Sequence, residues 1–159
     1  MVVSLDESEC ICPYCHTHLS GHGSHQRFVR LKCGIRVRLE VPSGICPQCG
    51  HTHTELPNFI QPYKHYEASI IQDVVDGKSR DTCEADESTM RRWLAEHRRI
   101  APHVETLLRA SQKNAYPLFG ASLLTYLRQT KGHWLAFVTP LLCAAGFFPC
   151  TQFACCPDG

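Results

Sequence analysis

From Ile35 to Val41 the chain alternates: Ile35, Val37, Leu39 and Val41 are apolar, and Arg36, Arg38 and Glu40 between them are charged. A period of two sends one set to a core and the other to solvent, so this run reads as a half-buried strand. Residues 26–32 are its expected partner, folded back across a turn at Cys33-Gly34. Residues 52–63 form a short extended stretch broken by Pro57 and Pro62, whose Leu, Phe, Ile and Tyr are expected to pack against a neighbour. From Lys64 the period becomes helical. Tyr63, Tyr66, Ile70, Ile71, Val74 and Val75 make one apolar stripe, ended by Asp76-Gly77. Residues 79–85 have room for one or two short turns, and 88–99 read as a helix capped by Ser88 or Asp86. On that helix Met90, Trp93, Leu94 and His97 share the inward face, and Ser88, Arg91, Arg92, Ala95 and Arg99 take the outward one. Three helices so spaced predict a helix-turn-helix.

Beyond residue 100, Pro102 suits the first turn of a new helix carrying Val104, Leu107, Leu108 and Ser111. Tyr116-Pro117 opens another, with Phe119, Leu123, Tyr126 and Leu127 inward. Residues 134–148 are almost continuously apolar but interrupted by Pro140 and Gly146. That run is too short and too broken for a membrane span, so a buried helix or a contact with a second copy or a partner protein is expected instead.

Chemistry enters at the ends of the hairpin. Cys12-Pro13-Tyr14-Cys15 and Cys46-Pro47-Gln48-Cys49-Gly50 are two copies of one knuckle, separated by thirty residues. Two thiolates two residues apart can face one ion, and two such turns make the tetrahedral four-cysteine site that Zn²⁺ prefers. With four protein ligands the site is closed, which points to one structural ion. Gly50 permits the left-handed backbone that closes the second knuckle. His16, His18, His22 and His25 crowd the first knuckle and His51 and His53 follow the second, so each is an alternative ligand. Cys10 and Cys33 read as spare thiols. Cys143, Cys150, Cys155 and Cys156 offer a second metal site only as an alternative, because adjacent cysteines cannot copy the knuckle spacing.

Composition narrows the class. The 159 residues are 43% hydrophobic and 19% charged, enough for a folded core. Cysteine occurs eleven times, an odd number, and the first Lys or Arg is Arg27 after an acidic Asp6, Glu7 and Glu9. No secretory signal is therefore expected, and the thiols suit a reducing cytoplasm. The formal charge is +1, and four thiolates with Zn²⁺ would bring it near −1, so any nucleic-acid contact must come from local patches. Arg36 and Arg38 form one such patch, with Arg27, Arg30 and Lys32 in the partner strand; a solvated strand face is the plainer alternative. No separated carboxylates on an alternating sheet follow the helices, so no catalytic constellation is expected.

The run from Cys12 through the basic hairpin, CPQCGHTHTELPNFIQPYKHY and STMRRWL resembles a family of functionally uncharacterised bacterial proteins, mostly from Gram-positive genomes, with transposase-like zinc ribbons. The similarity covers roughly residues 10–100, and only Cys12, Cys15, Cys46 and Cys49 match its metal motif residue by residue. It implies a zinc ribbon joined to a helix-turn-helix and an association with mobile elements. Together these readings give an α+β, mainly helical fold: a four-cysteine zinc ribbon (1–56), a Pro-containing linker (57–63), a helix-turn-helix-like region (64–100) and a helical C-terminal region with an apolar, Cys-rich tail (101–159). The expected function is binding of double-stranded DNA through Arg36, Arg38, Ser88, Arg91, Arg92 and Arg99, as a transcriptional regulator or the DNA-targeting part of a transposition system. The alternative is a zinc-ribbon adaptor that docks other proteins and leaves DNA alone.

Overall fold

A computed structural model describes residues 10–78, 83–111 and 122–148 and the backbone of 150–153. Strands β1 (Ser20–Arg30), β2 (Arg36–Ile45), β3 (Thr52–Pro57) and β4 (Cys150–Phe153) form one sheet in that order. The first three are antiparallel, and β4 returns from the C-terminal end to lie parallel to β3. Among the described residues there are four helices, α1 (Ala68–Val75), α2 (Glu87–Ser111), α3 (Leu123–Thr130) and α4 (Trp134–Ala144), which with the sheet make an α+β fold.

The hairpin forms where the alternation places it. Its turn closes through Gly34 N–H to Leu31 O and Leu31 N–H to Ile35 O, each 2.9 Å, with Gly34 at φ 82°, a conformation that favours a residue without Cβ. Val29, Leu39 and Val41 are buried, as the period requires. Ile35 is not: it belongs to the turn and is 59% exposed. Arg27 also departs from expectation, standing opposite Leu39 on the inner face and donating from its guanidinium to Lys64 O at 2.8 Å. Leu56 and Ile60 join Val29, Leu39, Val41 and Cys143 in the core beneath the sheet, whereas Tyr63 is 66% exposed.

Helix α1 starts at Ala68 rather than Lys64 because the preceding residues bond to the hairpin instead: Arg30 N–H meets His65 O at 2.8 Å and Glu67 N–H meets Arg30 O at 2.9 Å. It ends as expected. Lys78 N–H bonds back to Asp73 O and Gly77 N–H to Val74 O, with Gly77 at φ 73°, a left-handed C-terminal turn. The short turns expected at 79–85 are not present in their described part: residues 83–86 are non-helical, and 79–82 lie outside the described residues.

The largest correction concerns α2, which runs for 25 residues through Pro102 instead of ending at Arg99. Proline removes one helical N–H, leaving the carbonyl four residues earlier without its usual donor, but Pro102 lies on the exposed face, where water can serve that carbonyl. Met90, Trp93, Ile100, Val104 and Leu108 are buried on both sides of it. One uninterrupted apolar stripe outweighs one lost hydrogen bond.

In α3 the inward residues are Leu124 and Leu127, and Tyr126, expected inside, is 38% exposed; Tyr116, Pro117 and Phe119 lie outside the described residues. Helix α4 is the buried element that the apolar run predicts, with Trp134, Leu135, Val138, Thr139, Leu142 and Cys143 inside. No helix among the described residues is long and apolar enough to cross a membrane. Two polar side chains tie the helices together. Gln72 gives its amide N–H to Gly132 O at 2.7 Å and takes Leu135 N–H at 3.1 Å, and Asp76 accepts from Arg128 Nε at 2.9 Å and Trp134 Nε1 at 3.1 Å.

Gly44 marks the tightest approach in the sheet: a Cβ there would stand 2.8 Å from Leu19 Cβ and 2.9 Å from a Glu55 carboxylate oxygen. Gly44→Ala is therefore expected to destabilise the fold by about 1–3 kcal/mol, measured by chemical denaturation.

Candidate metal centre

The two knuckles are the same turn built twice. Cys12 O accepts from His16 N–H and Cys46 O from Gly50 N–H, while Cys12 N–H reaches Thr17 O and Cys46 N–H reaches His51 O, all at 2.9 Å. The fourth residue after the leading cysteine is left-handed in both copies, Gly50 at φ 73° and His16 at φ 58°. Glycine accepts that geometry freely, whereas histidine is held there at a cost of about 1–2 kcal/mol. The first knuckle thus keeps a conformation that its own sequence does not favour.

These turns bring Cys12, Cys15, Cys46 and Cys49 together with all four sulfurs within 4.8 Å of one another. Cys12 and Cys49 sulfurs lie 3.6 Å apart and those of Cys15 and Cys46 3.1 Å apart. A tetrahedral ion with metal–sulfur bonds of about 2.3 Å separates its sulfurs by about 3.8 Å, so a small outward adjustment of the closer pair completes the cage. Cys12 and Cys46 are buried and Cys15 and Cys49 half-buried, with Leu19 and Cys10 packed behind them. The four residues fit a closed, four-coordinate metal site.

The thiols cannot all ionise unaided. Cys15, accepting from Cys46 and secondarily from Thr17, has its pKa lowered to about 6. At Cys49 the His51 amide favours the thiolate, but desolvation and the other three cysteines outweigh it and push the pKa up to about 12. One negative charge settles easily at the centre, and further charges are opposed until a cation arrives. Metal binding must then release protons, so affinity falls as the pH is lowered.

Among the histidines, one has a specific place. His53, on β3 just past the second knuckle, is buried, and its Nε2 lies 3.3 Å from Cys12 Sγ. It stands beside the cluster of four cysteines instead of within it, where its N–H can donate to a Cys12 thiolate and Tyr14 covers its ring with centroids 5.5 Å apart. His16, His18, His22, His25 and His51 are exposed. Sequence spacing alone could not separate His53 from these, although its alternation with Thr52 and Thr54 on β3 does turn it inward. Cys33 is exposed in the hairpin turn, and Cys143 packs among Val29, Leu39 and Ile60 in the sheet core. Cys155 and Cys156 lie outside the described residues, and among those described Cys12, Cys15, Cys46 and Cys49 are the one group of three or more potential ligands that meets.

The remaining expected site residues are on the surface. Arg36 and Arg38 are exposed on β2, and the expected patch around them is thinned by ion pairs: Arg30 binds Glu84 at 2.5 Å and Lys32 binds Asp73 at 2.6 Å. On α2, Ser88, Arg91, Arg92 and Arg99 are exposed. Asp86 is the cap: it accepts from Ser88 Oγ at 2.5 Å and Thr89 N–H at 2.8 Å, bonds that lower its pKa to about 2. Ser88 is thereby engaged with the cap. Arg91 pairs with Glu87 at 2.7 Å, one turn back, and Arg92 bonds Thr89 Oγ1 at 2.8 Å. Arg98, which sequence reasoning passed over, is exposed beside Arg99.

The purified chain is expected to hold one divalent ion, counted by elemental analysis, and Cys46→Ser to lose both the ion and the hairpin's chemical-shift dispersion. His53→Ala should retain the stoichiometry while weakening affinity about 10–100-fold in a competition titration, the usual effect of removing a group that orients a ligand.

No curated protein and no solved structure matches the chain. Residues 12–93, from the first knuckle cysteine to Trp93 in the first half of α2, match the model of one family, and the chain belongs to it: the domain of unknown function DUF6431.

Proposed function

We propose that the protein is a zinc-stabilised DNA-binding protein, a transcriptional regulator or the DNA-targeting component of a transposition system, without a catalytic domain of its own. The observation that carries this reading is the division of α2: Met90, Trp93 and Ile100 face the core, and Arg91, Arg92, Arg98 and Arg99 face solvent over the same turns. Exposed, forked donors on a rigid helix suit phosphate and base-edge contact. Helices α1 and α2 would act as a reader of the helix-turn-helix kind, α2 meeting double-stranded DNA. Arg36 and Arg38, on the hairpin set by the knuckles, would add contacts to DNA phosphates beside the duplex segment that α2 grips. Zinc is favoured as the ion because four thiolates in a closed tetrahedral set suit a redox-inert cation that tolerates full protein ligation. The link to transposition rests on the resemblance of the knuckle-to-helix run to transposase-like ribbons.

A protein-docking adaptor is the second reading, favoured by exposed apolar side chains at Tyr14, Tyr63 and Phe147. The two separate under salt. Each phosphate contact on a DNA duplex contributes about 0.9 to the slope of log affinity against log salt, so Arg91→Ala with Arg92→Ala should flatten that slope by about two while leaving the melting temperature unchanged. Equal duplex binding and an equal slope in this double variant would favour the adaptor.

A further inference from the structure

The outer face of the hairpin carries more than charge. In the register of β1 and β2, Phe28 stands opposite Arg38 and Arg30 opposite Arg36, so these four side chains share the face turned away from Val29 and Leu39. Phe28 is 46% exposed, and the Arg36 guanidinium lies over its ring, 4.7 Å from the centroid. Arg30 is engaged by Glu84, whereas among the described residues neither Arg36 nor Arg38 has an acidic partner within ion-pairing distance. A flat aromatic ring layered with a planar cation, beside a second available cation, is the combination by which single-stranded nucleic acids are held: the base stacks and the adjoining phosphate meets an arginine. In an intact duplex the base faces already cover one another, so such a platform gains little from paired DNA.

We propose that this hairpin face binds an unpaired nucleotide of single-stranded DNA, the base stacking on the Phe28–Arg36 layer and its phosphate facing Arg38. The inference rests on the DNA-binding reading above and adds to it a second kind of substrate, an unpaired strand beside the duplex gripped by α2. Phe28 fills no core position, so changing it tests recognition and spares the fold.

The test uses the full, metal-loaded chain, with fluorescence anisotropy on a short labelled oligothymidylate and on a labelled duplex. The wild type should bind both, and Phe28→Leu should weaken oligothymidylate binding about tenfold while leaving duplex binding unchanged. Phe28→Trp supplies an independent readout: its indole should be quenched by the oligothymidylate and not by the duplex, against a constant background from Trp93 and Trp134, which are 4% and 1% exposed. Undiminished single-strand binding by Phe28→Leu would overturn the inference, as would equal losses on both DNAs, which would place the hairpin in a duplex groove. A wild type that binds duplex alone overturns the stacking platform and leaves the previous reading standing; one that binds neither overturns both.

Discussion

Four sulfurs drawn to one point organise the N-terminal half of the molecule. The knuckles lie thirty residues apart in sequence, and the hairpin, from Ser20 to Ile45, fills most of that interval. A two-stranded hairpin is marginal by itself in water; here β3 supports its open end, at Ser43, Gly44 and Ile45, and residues 65 and 67 bond to Arg30 near its turn. An ion bound by both knuckles would add its binding free energy to folding, because the site does not exist in the unfolded chain. The local costs are visible at His16, kept left-handed, and at Cys49, whose thiol resists ionising beside three others. Both make sense if a cation repays them.

The second constraint joins the hairpin to the helices. Cys143 of α4 sits in the sheet core, β4 extends the sheet beside β3, and Lys32, Arg30 and Lys64 form ion pairs with Asp73, Glu84 and Glu96. Surface pairs of this kind add little stability, about 0–1 kcal/mol each, so the apolar burial of Leu39, Leu56, Ile60 and Cys143 is the stronger link. The consequence for function is geometric: the outer hairpin face and the arginine face of α2 are carried on one packed framework.

Local signals were readable and nonlocal ones were not. The knuckle spacing, the alternation at Val37 to Val41, the glycine stop at Gly77 and the apolar stripe of α2 each depend on residues close in sequence, and each appears where the pattern places it. Pro102 misled because proline propensity is a local cost, while the stripe continuing through Ile100 and Val104 is a larger tertiary gain. The start of α1 departs from the periodicity for a similar reason, since residues 65 and 67 bond to Arg30, a partner far upstream. A four-residue strand such as β4, paired in parallel with residues nearly a hundred positions earlier, leaves almost no trace in periodicity. At the candidate metal centre the meeting of four cysteines was legible and their neighbour was not: His53 is distinguished from five other nearby histidines by burial, which spacing does not encode.

X-ray absorption at the zinc edge, on protein purified without added chelator, addresses the central claim most directly. The account predicts a first shell of four sulfurs at about 2.3 Å and no nitrogen or oxygen. A shell with fewer sulfurs, or one completed by imidazole or water, would contradict the closed four-cysteine site and with it the hairpin's dependence on the ion.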